Sequence, residues 1–301
     1  MVEAEVWRQL AAPLWLFSRP ENRVFWAYLL CSAVLAGWVL WRQERPLWPA
    51  LRQLLTGRWW RQPSVWLDVQ WIFLNNALWV LLIAPWLGSQ VALAVAGKNL
   101  LQSVFGEGNL IQASVLAISL SYTVVLWVAD DFTRFLLHRA YHRLPWLWRF
   151  HAVHHSATVL TPLTLYRVHS LEMLLNGLRS LWVAGLVGAL FIYLVDGRIT
   201  PVTLLGANLF SLAFNVAGSN LRHSPVWLSF GRFEHCLMSP AQHQIHHSDR
   251  AEHVDKNFGV MIPLWDKWFG SWLASDGQTV EAFGLRKPVR QSLLQQLGGI
   301  R

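Results

Sequence analysis

Apolar residues fall along this chain in long unbroken runs, not in the alternation of a strand or the three-to-four spacing of a half-buried helix. Four runs, at 24–41, 65–87, 110–129 and 174–195, and a fifth at 199–217 come near the roughly 20 residues a membrane-spanning helix needs. The run at 91–105 is shorter and is interrupted by Gly97 and Lys98, which favours an interfacial or re-entrant piece. At the N-terminus, Met1 to Pro20 carries Glu3 and Glu5 where a secretory leader has its basic end. It is expected as an interfacial helix. No repeat, low-complexity tract or Gly/Ser linker divides the chain, so residues 1–301 are expected to form a single domain. The pattern predicts an all-α integral membrane protein, a helical transmembrane stalk with a cytoplasmic helical cap.

Composition agrees. The chain is 54% hydrophobic and only 14% charged, against roughly 25% charged in an ordinary soluble domain. That excludes a disordered chain and a typical soluble enzyme. Cys31 and Cys236 are the only cysteines, too few for a disulfide framework or a cysteine-rich metal site. A net charge of +8 in a soluble domain would suggest nucleic acid. Here the arginines flank apolar segments, so topology and lipid head groups explain them and no nucleic-acid partner is expected. The 20 tryptophans suit membrane interfaces.

Arginine placement also sets an orientation. Arg42, Arg45, Arg52, Arg58 and Arg61 crowd the link between the first two runs, with Glu44 the one opposing charge, so that link is expected to be cytoplasmic. Counting crossings brings the chain back to the same side near residue 130, where Arg134, Arg139, Arg143 and Arg149 follow, and again after about residue 218. The arginine bias leans bacterial and suggests an inner membrane.

All 12 histidines lie at or after position 138, and eight form three tight clusters. His138 and His142 are four apart and share one face of a helix. His151, His154 and His155, and likewise His243, His246 and His247, have the spacing i, i+3, i+4, which lines three rings along one stripe. Ionisable groups at the membrane are expensive and tend to be functional. Rings packed together without a metal would need other polar partners. The clusters suffice for two metal ions, although imidazole suits iron, zinc, copper and nickel alike. No Glu-x-x-His motif supplies a carboxylate bridge. Isolated histidines such as His235 and His253 are more simply hydrogen-bonded structural residues.

The order H-x3-H, H-x2-HH, H-x2-HH resembles the fatty acid hydroxylase and sterol desaturase superfamily of membrane di-iron oxygenases. The surrounding sequence is similar too, over about residues 110–275. DFTRFLLHRAYHRLPWLWRFHAVHHS, from Asp131 to Ser156, resembles the first two boxes. YRVHSLE, Tyr166 to Glu172, is similar to the family's Arg-x-His-Pro-x-Glu segment, with Ser170 in place of proline. SPAQHQIHHS, then NFG and WDKWFGS, resembles the third box and the C-terminal signature. The resemblance implies a catalytic region at 110–275, preceded by an interfacial and transmembrane part at 1–109 and followed by a polar tail at 276–301.

It implies, further, that His138, His142, His151, His154, His155, His243, His246 and His247 ligate two irons. Some members use another histidine pair shortly before the third box; here His223 offers one ligand, while Gly218 and Ser219 stand where its companion is expected. His169 is a candidate ligand, ligand partner or helix cap. Asp131, Asn257 and Asp266 are candidates to orient ligand rings. The implied activity is O2-dependent hydroxylation of an unactivated C–H bond in a membrane lipid, with desaturation the alternative. The chain has no haem-attachment motif, dinucleotide-binding glycine loop or four-cysteine cluster pattern, so a separate donor, ferredoxin or cytochrome b5-like with a reductase, is implied. A membrane zinc hydrolase fits less well, because catalytic zinc usually takes three protein ligands. A di-haem carrier leaves the adjacent His154–His155 and His246–His247 pairs without a purpose, and a non-enzymatic lipid-binding or receptor protein predicts that replacing several clustered histidines leaves function intact.

Overall fold

The structure, a computed structural model, describes residues 2–44, 46, 48–49, 52, 56–108, 110–195, 210, 212–287, 289 and 292–300. It is helical, with no strand among these residues. Helix α1 (Val2–Leu10) docks through the Asn76 amide, which donates to the carbonyls of Gln9 and Leu10. Helix α2 (Trp26–Arg42) follows. Helix α3 (Pro63–Leu78) continues through a π turn (Trp79–Ile83) and a short helix (Ala84–Leu87) to Gly88. Then come α4 (Gln90–Phe105), α5 (Val115–Arg143), α6 (Pro145–His155) and α7 (Ser170–Val195). Three short helices complete the fold: α8 (Pro240–His246), α9 (Leu264–Trp268) and α10 (Leu293–Gln296).

Three described helices are long and apolar enough to cross a membrane: Pro63–Ile83, Val115–Arg143 and Ser170–Val195. The first expected span is a shorter helix of 17 residues, about 25 Å long. Most of the fifth, 199–217, lies outside the described residues. The third begins at Val115, later than the run at 110–129 suggested, and continues to Arg143. Its 29 residues give a rod of about 43 Å against a hydrocarbon core of about 30 Å. The excess length lets one helix both cross the bilayer and carry His138 and His142 beyond it.

Contacts separate the roles of α3 and α4. Asp68, Trp71 and Asn75 share one buried face of α3 and all bond toward the histidine-bearing half. Asp68 meets Arg167 at 2.6 Å, the Trp71 indole donates to Gln296 at 3.0 Å, and Asn75 donates to the Val168 carbonyl at 2.7 Å. Helix α4 instead runs along α7 through small residues. A Cβ added at Gly97 would stand 2.7 Å from the Ala189 methyl, and one at Gly185 only 2.5 Å from Leu93. Close backbone approach of this kind is how helices associate in lipid. The 91–105 run is thus a regular 16-residue helix packed on a long apolar neighbour. Gly97, read as an interruption, is the point of contact.

Candidate metal centre

Local sequence aims each histidine cluster. Helix α5 ends at Arg143 because Leu144, preceding Pro145, takes an extended conformation, and Pro145 then starts α6 at its first helical position. The resulting corner turns His151, His154 and His155 back toward His138 and His142. Helix α8 starts at a reciprocal capping box between Ser239 and Gln242, again with proline at its start. That box fixes the direction of His243, His246 and His247. His223 ends a single 3-10 turn, Ser219–His223, entered through Gly218 at φ 91°. That left-handed angle suits glycine.

The nine histidines form two groups. His138, His142, His151, His155 and His246 make one; His154, His223, His243 and His247 make the other. Within each group one ring nitrogen per residue lies within 4.8 Å of the rest. Three Nε2 atoms of the second group stand in a triangle: His243–His223 at 3.1 Å, His247–His243 at 3.2 Å and His223–His247 at 3.3 Å. In the first, His142 and His155 Nε2 are 3.2 Å apart. A metal with nitrogen bonds of about 2.1 Å sets its ligand nitrogens about 3.0–3.4 Å apart. The spacing therefore matches the edges of a coordination shell.

The outer ring nitrogens decide which lone pairs face inward. His138 Nδ1 lies 2.7 Å from the Phe258 carbonyl, His154 Nδ1 3.1 Å from that of Arg167, and His246 Nδ1 2.8 Å from that of Lys256. His151 Nδ1 lies 3.0 Å from the Glu172 carboxylate. A carbonyl accepts only, so Nδ1 carries the proton and Nε2 keeps its lone pair. The Nε2 atoms of His138, His151 and His246 are buried without a partner. Buried polar atoms are rarely left so, and a metal ion satisfies all three.

Electrostatics favour the same state. Burial, the dominant cause, pushes His151 and His154 down to about 3 and holds His155, His223, His243, His246 and His247 well below the usual range, neighbouring rings adding repulsion in all but His151. The rings are neutral donors at physiological pH, as metal ligation requires.

Residues 123–271 match the family model described as Fatty acid hydroxylase. The chain belongs to the fatty acid hydroxylase superfamily. Among its relatives, the alkylglycerol monooxygenase of Homo sapiens is 28% identical over 53% of this chain and 32% of its own length. Ornithine lipid hydroxylase OlsE of Rhizobium tropici is 26% identical over 59% of this chain and 50% of its own. The alkylglycerol monooxygenase of Caenorhabditis elegans is 26% identical over 52% of this chain and 28% of its own. The match thus spans from under a third to half of these relatives. No solved structure matches the chain.

In this fatty acid hydroxylase-family chain the remaining candidates do not touch a clustered ring. The Asp131 carboxylate accepts from the backbone of Met261 and Ile262 and from the Trp265 indole, all within 3.1 Å. The neighbouring Asp130 pairs with Arg134, at 2.6 Å. Asp266 accepts from the backbone of Phe258 and Gly259. Both carboxylates therefore clamp the 258–262 loop, whose Phe258 carbonyl holds His138. Asn257, at φ 57°, ties the Gln242 carbonyl to Leu273. His169 stands outside both groups: its Nδ1 accepts from the Leu171 N–H at the start of α7 and its Nε2 lies 3.0 Å from the Leu297 carbonyl. It caps a helix and ties down the tail. Gly218 and Ser219 supply no companion ring; Ser219 bonds Asn215. His253 is buried beside Gln278, and His235 meets Lys267.

Two features went unassigned in the sequence. Glu172, visible within YRVHSLE, orients His151. The fully buried Asp68–Arg167 pair, joined by Thr164, Ser156 and Ser64, fixes the loop whose Arg167 carbonyl holds His154. A hydrophobic run interrupted by one aspartate was the signal for Asp68.

A cavity of about 400 Å³ reaches the centre from the side of α5 and is lined in part by His138, His154, His223 and His243. It touches both groups.

Proposed function

We propose that this chain is a membrane-bound lipid hydroxylase that holds two irons, one among His138, His142, His151, His155 and His246 and one among His154, His223, His243 and His247. The observation that carries the reading is the pair of converging nitrogen sets, with outward hydrogen bonds at His138, His151 and His246 of the first and His154 of the second that leave their inner lone pairs free. Iron bound there supplies O2 activation and the oxidation of an unactivated C–H bond. The protein's own part is to orient and exclude. Backbone carbonyls and Glu172 fix the ring tautomers, and burial of the rings keeps bulk water away. The 400 Å³ cavity brings substrate to the centre.

The substrate in this reading is a membrane lipid. The relatives named for alkylglycerol and ornithine lipid support that class. Electrons come from a separate ferredoxin or cytochrome b5-like carrier with its reductase. The arginine-rich links favour a bacterial inner membrane with the centre on the cytoplasmic side. Nine ring nitrogens in two sets exceed the three protein ligands a catalytic zinc usually takes, which disfavours a hydrolytic zinc site.

The test is turnover under 18O2, with reductant and carrier, of lipids extracted from the membrane in which the protein is made. A lipid gaining one 18O atom is expected. A product that forms without O2, or carries oxygen from water, contradicts the proposal. An alkene without added oxygen redirects it to desaturation on the same centre.

A further inference from the structure

The cavity that reaches the histidines contains a charge arrangement the metal centre does not use. Arg222 is 3% exposed, and its Nε is buried with no partner. Its Nη2 donates to the carbonyls of Met238 and Val260, which carry no charge. Arg23 lines the same cavity. The two guanidinium groups lie 4.7 and 5.5 Å from the Phe214 ring centroid. Neither has a carboxylate within ion-pair distance among the described residues. A cation–π contact contributes about 0.5–2 kcal/mol, less than the several kcal/mol that burying an unpaired ion such as Arg222 costs; Arg23 is half-buried. Something anionic is missing from this balance.

The acidic residues of the cavity do not supply it. Asp130 is engaged by Arg134 at 2.6 Å and Arg179 at 2.8 Å. Asp131 attracts Arg222 from beyond ion-pair distance but spends its oxygens on two backbone N–H groups and an indole. Glu21 is exposed. The opposite character lies close by: Trp127, also in the cavity wall, stacks on Phe210 at 4.3 Å and presents an apolar surface.

We infer that this cavity binds an amphiphile with an anionic group, phosphate or carboxylate, seated between Arg23 and Arg222, with its apolar body along Trp127. The inference deepens the lipid-hydroxylase reading by naming the substrate class as a lipid with an anionic polar end.

Binding tests it without turnover. The iron-loaded full chain in nonionic detergent is titrated, without reductant, with lysophosphatidate, palmitate and monopalmitoylglycerol, following tryptophan fluorescence. At least one anionic lipid is expected to bind about tenfold or more tightly than the neutral one, the weight of one charge-assisted hydrogen bond. Whichever anion wins names phosphate or carboxylate as the group. In Arg23→Gln the preference is expected to fall below about twofold. Arg23 makes no side-chain hydrogen bond among the described residues, so iron content should hold and serves as the control for folding. Arg222→Gln is the second variant, expected to lose the preference likewise. Equal binding of all three lipids, or a preference that survives in both variants, overturns the inference. Oxidation of neutral lipids as fast as anionic ones also overturns it, yet leaves the hydroxylase reading intact. Preferential anion binding with no oxidation of any lipid does the reverse.

Discussion

His138, His151, His154 and His246 each do two jobs with two nitrogens, and the outer one depends on a partner that can be removed. Glu172→Ala takes away the acceptor of His151 Nδ1. Loss of such a partner lowers metal affinity about 10- to 100-fold, to be read by competition with a chelator; an unchanged affinity would show that the contact does not matter. The depressed ring pKa values predict a pH dependence as well. His151 and His154 titrate near 3 in the folded metal-free chain against 6.5 when unfolded. Between those values the unfolded chain binds more protons, so stability is greatest above pH 6.5 and falls as pH drops toward 3. Unfolding of chelator-treated protein across that range checks it, and a flat profile contradicts it. At this scale the sequence was informative about the rings and poor about their partners. Cluster spacing exposed eight of the nine histidines and the family resemblance added His223, but the carbonyls of Phe258, Arg167 and Lys256 carry no residue signature. Asp131 and Asp266, expected to orient ligand rings, bond the 258–262 loop instead, since backbone N–H groups are equally invisible in a sequence.

Helices were legible by length and apolarity, less so by neighbour. A run of apolar residues does not say whether its covered face meets lipid, a helix or the metal-bearing half. Helix α3, long and apolar enough to span as expected, also turns Asp68 into that half, and α4, expected at the interface, lies on α7. Asp68→Ala would remove the carboxylate that meets the buried Arg167 at 2.6 Å. Breaking such a pair costs about 3–5 kcal/mol, measurable as a lower unfolding midpoint in detergent together with weakened metal binding through the His154 loop. A change under about 1 kcal/mol would mean that the pair is solvated. Gly97→Leu is the matching test on the other side. With only 2.7 Å between its added Cβ and Ala189, overpacking should destabilise the α4–α7 pair by about 1–3 kcal/mol. Metal content should persist, because no histidine of either group lies on α4 or faces it. Loss of metal instead would show that α4 supports the centre.

The whole molecule joins an apolar stalk to a buried polar centre through one long helix, α5, and a cap closed by the tail through Gln296 and Trp71. At that centre nine imidazoles divide into five and four. Iron per chain, measured by elemental analysis on detergent-purified protein grown with iron, tests it most directly when wild type is set beside His247→Ala and His246→Ala. About two irons are expected in wild type, with His247→Ala depleted in the ion of the second group and His246→Ala in that of the first, each variant falling toward about one. One iron or none in well-folded wild type, or full iron in both variants, would contradict the account.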